Sequence, residues 1–133
     1  MTSFDYGNMP AGSVRWAAVS VAEGTRYINH ATMRPGGLES PVDVDAVLVE
    51  FESLAGRLPQ LFSQLGAWLV AEAAAGRLRV AGAPAAHSPS AEAVAVSAVR
   101  QYFTEAVVHA EALREVLHDA RQVTATLAPR DPE

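Results

Sequence analysis

Residues 40–76, SPVDVDAVLVEFESLAGRLPQLFSQLGAWLVAEAAAG, decide the fold of this chain. Ser40 is suited to cap a helix, because its hydroxyl can accept from the first free backbone N–H groups. Pro41 fits the first helical position, where its missing N–H costs nothing. Asp43 and Asp45 then place negative charge at the positive end of the helix dipole. Beyond this start, Val44, Phe51, Leu58 and Leu65 recur every seven residues. The pairs Val47/Leu48, Leu54/Ala55, Leu61/Phe62 and Trp68/Leu69 widen that line into a broad apolar face. Asp45, Glu50, Glu52, Ser53, Arg57, Gln60, Ser63 and Gln64 fall on the opposite side of the wheel, together with Pro59. The pattern predicts one helix over 41–76, kinked at Pro59, where the ring removes a backbone hydrogen bond next to Gly56. Gly76 is placed to end it.

A second long helix is predicted over 89–128, opened by Ser88-Pro89 and stopped before Pro129. Its predicted spine is Val99, Ala106, Leu113, Ala120 and Leu127, flanked by Tyr102/Phe103, His109/Ala110, Val116/Leu117 and Val123/Thr124. The intervening 77–88, RLRVAGAPAAHS, has no period and reads as a loop between antiparallel helices. A shorter helix is predicted over 14–32 with Ser13 as its cap, although a small hairpin turning at Glu23-Gly24 fits the alternation of Val19 and Val21. Residues 1–12 read as an arm and 129–133 as a tail, around a single helical domain at 13–128. The fold class is therefore all-α, a long antiparallel helical hairpin with a shorter N-terminal helix. The apolar faces are broader than one partner helix covers, so two chains are expected to complete a bundle as a homodimer.

At 133 residues with a net charge of -5, the chain has length for a core of its own. It contains no cysteine, which removes disulfides, thiolate metal sites and cysteine nucleophiles together. All ten basic residues are Arg. The first residues have neither the basic nor the apolar region of a secretory signal, and no apolar run is long enough to span a bilayer, so a cytoplasmic protein with no membrane partner is the expectation.

The chemistry-bearing patterns are sparse. Glu115 and His118 have the E-x-x-H spacing of ferritin-like bundles, but such sites need two of these motifs and two more carboxylates, and the wheel turns this pair toward water. His109 falls on the predicted seam with Glu105 one turn before it, a candidate buried polar site for a proton or ligand. Arg15, Arg26 and Arg34, with Trp16 and Tyr27 among them, are candidate nucleic-acid contacts, since guanidinium groups pair phosphates and rings stack on bases. The acidic balance weighs against that use, and Trp16 in the core is the commoner outcome. Val107 and Val108 fall outside the predicted seam and, with Arg77 and Arg79 in the loop, are candidate contacts for another protein. No catalytic, cofactor or metal site is predicted.

The segments TRYINHATM at 25–33, GLESPVDV at 37–44 and LAGRLPQLFSQLGAWL at 54–69 resemble parts of small uncharacterised helical proteins of actinobacteria, some carried beside genes of mobile elements. That resemblance implies helix over 14–32 and a role on DNA or in a plasmid-borne complex, and it carries no catalytic residues. Three readings follow: a non-enzymatic, self-associating interaction or scaffold module; a DNA-binding accessory protein of a mobile element; and a ligand-binding bundle with a pocket around His109, Tyr102 and Trp68.

Overall fold

The computed structural model describes residues 10, 12–82 and 90–131. Three helices follow one another, α1 (Ser13–Thr32), α2 (Pro41–Ala74) and α3 (Ser90–Thr124), and no strand occurs among the described residues. The chain divides into two compact units, Met1–Ser40 and Pro41–Glu133. No described helix is long and apolar enough to cross a membrane. Most of the predicted arm, the Ser88-Pro89 start signal and the last two residues of the tail lie outside the described residues.

In the first unit, α1 is helical throughout, so the hairpin alternative at Glu23-Gly24 does not form. Ser13 is not its cap: Gly12, at φ 89°, takes the cap position, and Ser13 is the first helical residue, its hydroxyl donating back to the Pro10 carbonyl. Glycine is the residue that enters this left-handed conformation without a steric cost. No residue of α1 is buried, and Trp16, expected in a core, is 77% exposed. After Thr32 the chain folds into a turn in which Gly37 donates to the Arg34 carbonyl at 3.1 Å. A Cβ on Gly37 would lie 1.8 Å from the Ala31 carbonyl oxygen, so this close approach of two backbone segments requires glycine. Gly37→Ala is expected to displace the turn and shift the amide resonances of Ala31 and Arg34 in a two-dimensional NMR spectrum.

In the second unit, α2 runs unbroken through Pro59, as the continuous apolar register requires. It ends in two backbone bonds, Gly76 N–H to the Ala73 carbonyl at 3.1 Å and Arg77 N–H to the Glu72 carbonyl at 3.0 Å, with Gly76 at φ 73°. This is the Schellman ending that glycine permits. The α3 helix stops at Thr124, earlier than the 128 expected. There Thr126 and Leu127 donate to carbonyls three residues back, and the hydroxyls of Thr124 and Thr126 bond to the carbonyls of Arg121 and Val123. Hydroxyls that compete for backbone carbonyls, followed by a proline, tighten and end the last turn.

The hairpin is antiparallel, since Asp45 meets Thr124 at one end while Phe62 meets Phe103 further along, with ring centroids 5.5 Å apart. Its seam keeps much of the predicted apolar faces, with Ala55, Phe62, Val99, Phe103, Ala106 and Ala110 in it, and adds polar positions to them. On α2 the residues turned to α3 are Asp45, Glu52, Pro59, Gly66 and Ala73, with Leu48, Ala55, Phe62 and Leu69 between them; each of these is buried or half-buried. On α3 they are Val96, Val99, Phe103, Ala106, Val107, Ala110, Leu117, Arg121 and Thr124. The buried apolar residues are all small or medium: Ala55, Val96 and Ala110. Both helices are thus rolled toward their small and polar residues. The predicted spine residues Leu65, Leu113 and Leu127 are exposed, and Pro59, assigned to the polar side, is half-buried in the seam.

The reason for the roll lies in two kinds of residue on this stripe of α2. The small Ala55 and Gly66, both buried, leave room for side chains of α3, as large facing spines would not. Asp45 and Glu52 meet Arg121, so oppositely charged groups that a single-helix wheel assigns to solvent are paired across the hairpin.

Candidate functional site: a polar lock and an exposed apolar flank

Near the start of α2 and the end of α3 a network of side chains joins the two helices. The Arg121 guanidinium donates through Nη1 to Glu52 Oε2 at 2.7 Å, and its Nε lies 3.6 Å from Asp45 Oδ1. The second distance is too long for a hydrogen bond, so buried Nε is left with an ion-pair partner and no acceptor. Thr124 donates to the same Asp45 oxygen at 2.9 Å. Glu52 Oε1 sits 3.1 Å from His118 Nδ1, and His118 Nε2 is 3.1 Å from the Gln122 amide.

Hydrogen bonding by Arg121 holds the Glu52 carboxyl below its ordinary value of 4.5; partial desolvation opposes this, and His118 and the nearby positive charge add to it. Arg121 is raised correspondingly, chiefly by its hydrogen bond to Glu52. A carboxyl whose folded-state pKa lies below its unfolded one contributes stability above pH 4.5, and loses it as pH falls through the lower, folded value. The hairpin is therefore expected to lose melting temperature in acid below pH 4.5, and Glu52→Gln to flatten part of that loss, as circular dichroism melts across pH would show. An unchanged acid profile in the variant would mean that the lock contributes nothing to it.

This network has the residue types of a catalytic or metal cluster but not their arrangement. No group of three or more potential metal ligands occurs among the described residues. Glu52 is occupied by Arg121 and His118, bonds that join α2 to α3.

On either side of the seam the hairpin differs in character. Arg100, Arg114 and Arg121 form one line on α3, and they meet Gly66 and Gly56 of α2 and the groove walled by Val49. Two residues further along each helix is about 200° around it. That step leads from the Arg line to Tyr102, Val116 and Val123 on α3, and from Val49, Gly56 and Ser63 to Phe51, Leu58 and Leu65 on α2. The large apolar residues of both helices therefore collect on the side away from the arginines. Leu65 there is 39% exposed, Leu113 47%, Val116 63% and Tyr102 70%, while Trp68, 59% exposed, stands further round α2, about 20° from Arg57.

The residues singled out from sequence are dispersed over these features. His109 is exposed, not buried in the seam, because the roll of α3 replaces it there with Ala110; no hydrogen bond or ion pair joins it to Glu105. Tyr102, His109 and Trp68 lie outward, so they do not enclose a pocket between the helices. Val107, expected outside the seam, is half-buried and lines a groove with Phe62, Gly66 and Phe103, whereas Val108 is exposed. Arg77 is held by Glu72 through two bonds of 2.7 and 2.9 Å, and Arg79 is exposed. Glu115 is exposed, while His118, which the wheel turned to water with it, reaches across to Glu52.

In the first unit Arg26 and Arg34 line one open groove with Tyr27, His30 and Glu23, while Arg15 lies three turns away on α1. Arg26 already has Glu23 at 3.8 Å. Asp45, Glu52, Arg121 and Thr124 went unrecognised as a cluster. Their signal was there in the seven-residue spacing of the two acids and the i, i+3 spacing of the Arg and Thr, legible only once the antiparallel register is known. Comparison of the chain with protein-family models, with curated proteins and with solved structures gives no match.

Proposed function

We propose that this chain is a non-enzymatic helical interaction module that self-associates through the apolar flank of its hairpin. The supporting observation is the combination of Leu65, Tyr102, Leu113 and Val116 on one side, with Trp68 further round α2, all exposed, over a seam that fully buries only small and medium apolar residues. With 34 residues in α2, the hairpin is about 50 Å long. Two helices side by side then offer a face on the order of 800–1,000 Å², the area that each partner contributes to a standard stable interface. Pairing of two such flanks about a twofold axis gives a four-helix bundle with the arginine sides outward. Sedimentation equilibrium of the full chain tests this: a dimer at micromolar concentration is the expected result, and a monomer up to hundreds of micromolar would remove the proposal.

A second reading draws on the groove in the first unit, where Arg26, His30 and Arg34 surround exposed Tyr27. Guanidinium groups beside an open ring are the elements of nucleic-acid contact, as in a DNA-binding accessory protein of a mobile element. A shift of labelled DNA that weakens steeply with salt and is lost in Arg26→Ala/Arg34→Ala would favour it; no shift at low salt would end it.

A further inference from the structure

Across the seam from Leu65 and Tyr102, the hairpin presents a second feature, built on guanidinium groups rather than on apolar ones. Between α2 and α3 lies an open groove of roughly 440 Å³ lined by Glu52, Ser53, Gly56, Arg57, Arg114 and Arg121, with Val49 as its apolar wall. Three guanidinium groups thus surround one space. The one carboxylate lining it, Glu52, is already bound by Arg121 and His118. Among the described residues neither Arg57 nor Arg114 has an ion-pair partner. Arg114 also lines the adjoining groove with Glu115 and Asp119, but pairs with neither.

These arginines are held rather than simply displayed. The Arg57 Nε donates to Ser53 Oγ at 3.3 Å, which fixes the plane of its guanidinium one turn along α2. Arg114 lies across Gly56: a Cβ there would sit 3.2 Å from its Nε and 3.3 Å from its Cδ, so the absent side chain is the space in which the arginine stem rests. Arg121 is fixed by Glu52 and Asp45. Partly ordered, unpaired guanidinium forks around a small space on an otherwise acidic chain are suited to an anion with several oxygens, because each fork offers parallel N–H donors to two of them.

We infer that this groove binds a phosphate dianion, free or as the monoester of a small molecule, between Arg57 and Arg114. Glu52 on the floor limits the site to a compact anion and works against a long polyanion laid along the hairpin. The test uses the full chain at pH 7.5, melted in inorganic phosphate, in glycerol phosphate and in sodium chloride at equal ionic strength. A rise of about 3–5 °C in phosphate over chloride is expected at concentrations well above Kd. Arg114→Met keeps a stem over Gly56 without the charge, and Arg57→Gln changes an exposed residue; both are expected to abolish the rise. A rise with inorganic phosphate alone assigns the site to the free ion, and a rise with both assigns it to the phosphoryl group of a larger molecule. Equal melting in phosphate and chloride, or a rise that survives in Arg57→Gln, overturns the inference. Binding of heparin or DNA at this side without any response to phosphate overturns it as well. Oligomeric state is read separately, so failure here leaves the apolar flank untouched.

Discussion

Leu65→Asp combined with Trp68→Asp is expected to convert the chain to a monomer that keeps its helical content. Both side chains are exposed, so the substitutions leave the seam of Ala55, Gly66, Phe62 and Phe103 as it is. In a paired flank the same positions would lie in the interface, where an aromatic anchor and its neighbours carry a large share of the binding free energy. Two uncompensated carboxylates there cost several kcal/mol in addition to the lost burial. A loss in association of about a thousandfold or more is therefore expected, read by sedimentation, with an unchanged far-ultraviolet circular dichroism spectrum. Equal sedimentation of variant and parent as dimers would place the contact elsewhere.

The second large effect belongs to the seam. Ala55 is 1% exposed, the most buried apolar side chain among the described residues. Ala55→Leu is expected to destabilise the hairpin by about 1–3 kcal/mol, since extra methylenes in a packed seam force the helices apart or side chains off their rotamers. Ala46→Leu, at an exposed position on the same helix, is the control and is expected to stay within about 0.5 kcal/mol of the parent. Urea melts of the two variants in the monomeric Leu65→Asp/Trp68→Asp background separate seam packing from association. Equal midpoints would show that the seam is not tightly packed at Ala55.

The helices themselves were legible in the sequence. Ser40-Pro41 and Asp43 mark the start of α2, Gly76 its end, and the heptads of Val44 and Val99 give two long helices with a connection between them. These are local signals, carried by backbone geometry and by a period that any stretch of the chain reveals alone. Which stripe of each helix faces the other is a different kind of property. The wheel of α2 gives its widest apolar face to Val44, Phe51, Leu58 and Leu65, and taken singly that face belongs in a seam. The observed seam instead joins Ala55 and Gly66 to Ala110 and Phe103, and Glu52 to Arg121. Each is a pairwise preference between residues more than thirty positions apart, invisible to a single-helix pattern. His109 was misplaced for the same reason: a roll of one position on α3 exchanges it for Ala110.

The lock was missed because Asp45 and Glu52 have the ordinary composition of a solvated face. Charge in a sequence reads as exposure until a partner of opposite sign is brought opposite it. The apolar flank, in contrast, was anticipated as an excess of hydrophobic width, though not in the position where the structure puts it. Nothing in the sequence marked Gly56 and Arg114 as a pair.

The small residues of the seam also fix how much water is released when one hairpin forms. Ala55, Val96 and Ala110 are its fully buried apolar side chains among the described residues, and larger ones such as Phe62, Phe103 and Leu117 are half-buried, so much of the hairpin's hydrocarbon stays partly in contact with solvent. The heat-capacity increment of unfolding and the dependence of stability on urea both scale with the surface newly exposed. For the monomeric hairpin both are expected to be low for its length, giving a broad, shallow melt. In the proposed dimer, pairing of the flanks is expected to steepen the transition.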